Sequence, residues 1–178
     1  MRIAVNAGHG PKDNGLYDPG AVGPSGLLEA EQNLKVAKSL LAKLQAVNWA
    51  CLLIHDGDLD DVIKKNNTWG ASYFISIHAN AATNPRARGV ETYAWLPGGQ
   101  AEKLALVIQK ELVSKTGQVD RGVKFANFRV LKYTNCPAVL VEAGFISNPE
   151  TESLMREGAF AEKVAQAIFN GLLKICNK

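Results

Sequence analysis

A chain of 178 residues with 47% apolar and 21% charged residues can bury one sizeable core and has the composition of an ordinary globular domain. Its net charge of +3, from 20 basic and 17 acidic residues, is too small an excess to mark a nucleic-acid partner, though it mildly favours an anionic polymer. Cys51, Cys136 and Cys176 are odd in number and lack CxxC spacing, which excludes a disulfide framework and a cysteine zinc cluster.

In chain order, residues 3–6 are predicted as a first strand, followed by a loop rich in Gly, Pro and Asp over residues 6–26. Residues 31–47 carry Leu34, Ala37, Leu40, Leu41, Leu44 and Val47 at helical spacing. Residues 51–54 read as a second strand, and residues 58–70 as a helix with Val62, Ile63 and Trp69 inward. Residues 73–77 and the alternating residues 89–95 are the third and fourth strands. A helix over residues 100–115 places Leu104, Val107, Ile108 and Leu112 on one face. Residues 128–131 are predicted as a short strand, and residues 138–142 as a continuous apolar strand ending in an acid. Asn148 caps a short helix over residues 149–156, and residues 160–175 form the last helix. Strands alternating with helices predict a single α/β domain over residues 1–178 with a largely parallel twisted sheet. The continuous apolar strands predict helices on both of its faces.

Ligand sites of open α/β sheets lie outside the carboxyl ends of the strands. Three strands deliver ionisable groups to that edge: His9 just past the first, His78 at the end of the third, and Glu142 at the end of residues 138–142. Glu29, at the start of the first long helix, shares the edge. Two His and a Glu can hold one zinc with an open fourth position, and a second Glu can act as general base. Gly8 and Gly10 let the backbone turn at His9 and a cation approach closely, and Asn80 is placed to orient His78. Glu29 fits equally well as an acid favouring the helix dipole, with Glu31 as a competing carboxylate. Glu142 closes Val139-Leu140-Val141, where an ionised carboxylate is costly unless a cation or a proton offsets it. His55-Asp56 reads as a strand-to-turn exit, and Glu91, Arg129 and Lys132 as solvated surface. The chain has no phosphate-loop spacing and no H-E-x-x-H.

Six ordered segments carry a resemblance that runs essentially end to end. They are Ala7-Gly8-His9-Gly10, Asp18-Pro19-Gly20-Ala21-Val22-Gly23, Leu28-Glu29 leading to Asn33-Leu34, Phe74-Ile75-Ser76-Ile77-His78-Ala79-Asn80, Gly89-Val90-Glu91-Thr92-Tyr93, and residues 137–148. Together they resemble the zinc-dependent N-acetylmuramoyl-L-alanine amidases of bacterial cell-wall amidases and phage endolysins. The resemblance implies that His9, Glu29 and His78 ligate zinc and that Glu142 is the catalytic acid/base. It also implies that the substrate is peptidoglycan, cut between N-acetylmuramic acid and L-alanine of the stem peptide, in an endolysin or autolysin. A binding module without turnover and a zinc peptidase acting within the stem are the rival readings.

The chain departs from the pattern at His55-Asp56 and Lys64-Lys65-Asn66-Asn67, where the family usually carries arginines. Residues 81–88 are too short for the autoinhibitory insertion of some members, which implies an accessible site that needs no activator protein. Met1-Arg2-Ile3-Ala4-Val5 lacks the apolar stretch of a signal peptide, and no run reaches the ~18 apolar residues of a membrane span. The expectation is synthesis in the cytoplasm, no membrane insertion, and action on the wall after release.

Overall fold

The computed structural model describes residues 1–55 and 57–176. Asp56 of the His55-Asp56 pair lies outside the described residues, as do Asn177 and Lys178 at the end of the predicted domain. In chain order the elements are Arg2–Ala7 (β1), Gly10–Pro11 (β2), Tyr17–Asp18 (β3), Glu29–Ala46 (α1), Ala50–His55 (β4), Leu59–Trp69 (α2) and Tyr73–Asn80 (β5). They continue with Val90–Ala94 (β6), Gln100–Thr116 (α3), Asp120–Phe125 (β7), Arg129–Lys132 (α4), Ala138–Phe145 (β8), Pro149–Arg156 (α5) and Gly158–Cys176 (α6).

The α/β fold is the expected one. Six strands form one sheet in the order β4-β1-β5-β8-β6-β7, and β2 pairs with β3 in a separate ribbon. Neighbours in the large sheet are parallel except β6, which runs antiparallel to β8. That reversal has a consequence for the site. The beginnings of β6 and β7 lie at the edge where β1, β5 and β8 end.

Alternation along the strands divides the core in two. Ile3, Val5, Ile75, Ile77, Val139 and Val141 pack against Leu40 and Leu44 of α1, Leu104 and Ile108 of α3, and Val164 and Ile168 of α6. On the opposite face Ala4, Phe74 and Leu140 meet Val62 of α2 and Val130 and Leu131 of α4. This second face is apolar only where α2 and α4 cover it. Toward the carboxyl ends of β1, β5 and β8 the same alternation presents Asn6, Ser76, His78 and Glu142 instead.

One expectation fails, and one strand is unforeseen. Residues 128–131 are not a strand: Arg129–Lys132 is a helical turn that buries the consecutive Val130 and Leu131 against the sheet. Consecutive buried residues fit a helix face, whereas a strand would turn one of them away. Asp120–Phe125 is a strand that the sequence pattern hides, because this polar edge strand is at most half-buried and shifts register along its length. Asn148 caps α5 as expected, accepting from the backbone N–H of Thr151 at 2.9 Å. Among the described residues, no helix is long and apolar enough to cross a membrane.

Candidate active site

His9 follows β1 in a turn that Gly8 and His9 build together. The amide of Gly8 donates to the carbonyl of Ile77 at 2.9 Å, so the ladder with β5 reaches one residue beyond β1. A side chain at Gly8 would overlap the His78 ring. His9 itself has φ +65°, a left-handed conformation that non-glycine residues rarely hold outside constrained sites. The turn stands the His9 ring edge-on to His78, with centroids 5.3 Å apart.

Glu29 is the first residue of α1 and is buried beneath both rings. Its Oε1 lies 3.4 Å from His9 Nε2 and 3.1 Å from His78 Nδ1. Backbone N–H groups aim the carboxylate: Ala21 donates to Oε2 at 2.9 Å and Ala79 to Oε1 at 3.2 Å. Glu31, the competing carboxylate, is exposed.

The surrounding hydrogen bonds set the tautomers. Asp18 Oδ2 accepts from His9 Nδ1 at 3.0 Å, which leaves Nε2 of His9 facing Glu29. The Ser76 hydroxyl donates to Asn6 Oδ1 at 2.8 Å, so its oxygen accepts from His78 Nε2, 3.1 Å away. His78 then presents the lone pair of Nδ1 to Glu29. Two imidazole lone pairs and a carboxylate therefore converge, an arrangement that is repulsive until a positive charge enters it. The three ligand atoms all lie within 4.8 Å of one another, and the group could hold a metal ion. The separations of 3.4 and 3.1 Å are close to the ~3.3 Å expected between ligands about 2.0–2.1 Å from a tetrahedral cation.

Protonation follows the same logic. The hydrogen bond to Glu29 is the largest influence on His9 and, with Asp18, pushes its pKa up to about 9 against the effect of burial. Burial acts to raise Glu29, but the two histidines outweigh it and hold the carboxyl well below the usual range. A proton on His9 thus balances the charge that a cation would balance.

Glu142 sits beside this group on β8. It pairs with His78 of β5 on one side and with Glu91 of β6 on the other, so the three side chains form one row on one face. Glu142 is half-buried, yet its Oε2 is fully buried and has no hydrogen-bond partner among the described residues. Burial, followed by the charges of Glu29 and Glu91, pushes its pKa up to about 8.

Other expectations resolve differently. Asn80 does not orient His78; its amide donates to Glu91 Oε1 at 2.8 Å, and Ser76 holds the ring. Glu91 is not solvated surface but 2% exposed. Arg129 is exposed, Lys132 is half-buried, and His55 lies outside the His9–Glu29–His78 group. The contact of Asp18 with His9 was missed, although Asp18-Pro19-Gly20 stood among the marked segments. No sequence spacing links it to His9; the β2–β3 ribbon, which pairs Gly10 with Asp18, brings them together.

Comparison with known proteins assigns the family. The model of the N-acetylmuramoyl-L-alanine amidase family Amidase_3, a metal-dependent family, matches residues 3–174. The chain is 38% identical over 175 residues to the N-acetylmuramoyl-L-alanine amidase LytC of Bacillus subtilis (strain 168), covering 95% of this chain and 34% of LytC. The chain thus spans about a third of that relative. The catalytic domain of the N-acetylmuramoyl-L-alanine amidase CwlV from Bacillus (Paenibacillus) polymyxa superposes with a TM-score of 0.90 at 31% identity, covering 99% of this chain and 98% of that one. The CwlD amidase of Clostridioides difficile, whose structure is of a complex with the GerS lipoprotein, gives 0.88 at 26% identity, covering 99% and 98%.

Proposed function

The chain belongs to the N-acetylmuramoyl-L-alanine amidase family, and from that premise we propose that it hydrolyses the amide between N-acetylmuramic acid and L-alanine in peptidoglycan, with zinc held by His9, Glu29 and His78. Glu142 is the acid/base in this reading. The observation that carries it is the fully buried, unpartnered Oε2 of Glu142 beside the convergent ligand group. A pure binding site has no use for a carboxyl kept near neutrality, whereas a proton carrier works best with a pKa near the operating pH.

The His–Glu–His donor set suits zinc and leaves a fourth position open. Zinc, when bound, supplies Lewis acidity and lowers the pKa of water to about 7. The protein's own groups do the rest. Asp18 and Ser76 hold the His9 and His78 rings so that Nε2 and Nδ1 respectively face the ligand group. The Ala21 and Ala79 amides fix the Glu29 carboxylate. Glu142 accepts a proton from the attacking water and returns it to the nitrogen of the departing L-alanine. His9 gives up its own proton as the cation enters, which makes loading pH-dependent. The same reading places the domain in a wall-lytic role, as an endolysin or autolysin, with a cleft that needs no activator protein.

Mass spectrometry of a peptidoglycan digest tests the reading. Stem peptides with a free L-alanine amino terminus, released only by the metal-loaded protein and lost on chelation until zinc is restored, are the expected result. Products cut within the stem peptide, or release indifferent to chelation, would overturn it.

A further inference from the structure

Glu91 lies one strand beyond Glu142 and is saturated with donors. Oε1 accepts from Asn80 and from the Tyr93 hydroxyl, each at 2.8 Å. Oε2 accepts from Arg121 Nε at 2.7 Å and Lys124 Nζ at 2.5 Å. One buried carboxylate thus anchors two cations, and one positive charge is left over.

Strict alternation would send Arg121 and Lys124 to opposite faces of β7. Gly122, at φ +78°, and the register shift between the Val90–Asp120 and Thr92–Val123 pairs turn both toward Glu91. Because β7 runs against β8, Arg121 near its beginning stands at the edge where β8 ends.

The Arg121 guanidinium is fixed on two sides. Nε is tied to Glu91, and the guanidinium carbon lies 4.8 Å from the centre of the Phe145 ring. Its side chain is still 37% exposed, and neither Nη has a hydrogen-bond partner among the described residues. A planar fork with its face and one edge already held is preorganised to take a carboxylate end-on in two parallel hydrogen bonds. Lys124, also tied to Glu91, adds positive charge to the same wall.

We propose that Arg121, supported by Lys124 and held in place by Glu91, forms a subsite that recognises a carboxylate on the peptide portion of the substrate. The proposal rests on the amidase reading. The carboxyl of L-alanine is taken up in the next peptide bond, so a free carboxylate on the peptide portion belongs to a residue beyond it, the second or third.

The test compares N-acetylmuramoyl-L-alanyl tripeptides that carry free carboxylates with the same peptides amidated at the second or the third residue, using the zinc-loaded protein. The wild type is expected to lose roughly tenfold or more in kcat/KM on amidation at one of those positions, chiefly through KM. Arg121→Gln should cut both forms at the wild type's low, amidated rate. Arg121→Lys, which keeps an ion pair with Glu91 and so guards against misfolding, should lose most of the discrimination while retaining the melting temperature. Equal wild-type rates on free and amidated substrates would overturn the subsite. So would an Arg121→Gln variant slowed in equal proportion on both, which is the signature of a purely structural arginine. A wild type that cuts none of the tripeptides at the muramoyl–alanine amide would overturn the amidase reading itself.

Discussion

Glu142 and Glu91 face one another across the β8–β6 pair, yet their surroundings drive them in opposite directions. Burial pushes both carboxyls up. At Glu91, Lys124, Arg121 and the Tyr93 hydroxyl outweigh that effect and hold the group below the usual carboxylate range. At Glu142 no donor reaches the buried Oε2 among the described residues, and the neighbouring Glu29 and Glu91 charges add to the effect of burial. The comparison shows that burial alone does not decide what a carboxylate is for. A buried acid given four donors is a fixed anion that positions cations. The same acid denied donors holds its proton into the neutral range, and that is a property a proton carrier needs.

The largest test of this contrast replaces the carboxyl that has no partner. Glu142→Gln is expected to lower kcat on peptidoglycan by about 10²–10⁴-fold, the usual contribution of a general acid/base. Metal content measured on the same sample should stay at the wild-type level, because Glu142 lies outside the His9–Glu29–His78 group. Activity within a few-fold of wild type would erase the distinction between the two glutamates.

Glu91→Gln should act on stability instead. It leaves Arg121 and Lys124 without their anion, but both side chains are over a third exposed and water screens them. A loss of about 1–2 kcal/mol in urea unfolding is expected. An unchanged midpoint would mean that the four donors to Glu91 contribute nothing to the fold.

The third effect is a slope against pH, at most about 1.4 kcal/mol per pH unit for one proton. In metal-free protein the Glu142 carboxyl, pushed up to about 8, keeps its proton when folded over a range in which the unfolded carboxyl, at about 4.5, has lost it. The folded state then binds more protons, so this contribution is fully present below pH 4.5 and is lost as pH rises through about 8. His9, pushed up to about 9, has the same sign but begins to lose its contribution only above about 6.5. Glu142→Gln should therefore flatten the decline chiefly at its acidic end in urea titrations run at a series of pH values. A variant whose pH profile parallels wild type would show that Glu142 is not protonated in the folded chain.

Much of the architecture was legible in the sequence because apolar periodicity reports directly which face of an element is buried. β5 and β8 read as continuous apolar runs since helices cover both sides of the sheet, and α6 shows its stripe of Phe160, Val164, Ile168 and Leu172 for the same reason. The gathering of His9, Glu29, His78 and Glu142 at one edge also followed from chain order, because parallel strands must all end on the same side. β7 was invisible because Asp120–Phe125 is polar, lies on the edge, and interrupts its own alternation at Gly122. Residues 128–131 were misread as a strand because four residues are too few to separate a period of 3.6 from one of 2.

The sequence by itself determined which groups reach the carboxyl edge of the sheet and which chemistry they are suited to. Only the tertiary structure decided how each is used. The contact of Asp18 with His9, and of Arg121 and Lys124 with Glu91, spans separations in the chain with no periodic signature. Even Ser76, two residues from His78, shows its part only once the sheet brings it against Asn6. The physical reason is that the charge state and direction of a polar group depend on the donors and acceptors within about 3 Å of it. Apolar burial, by contrast, is averaged over whole faces and so leaves its trace along the chain.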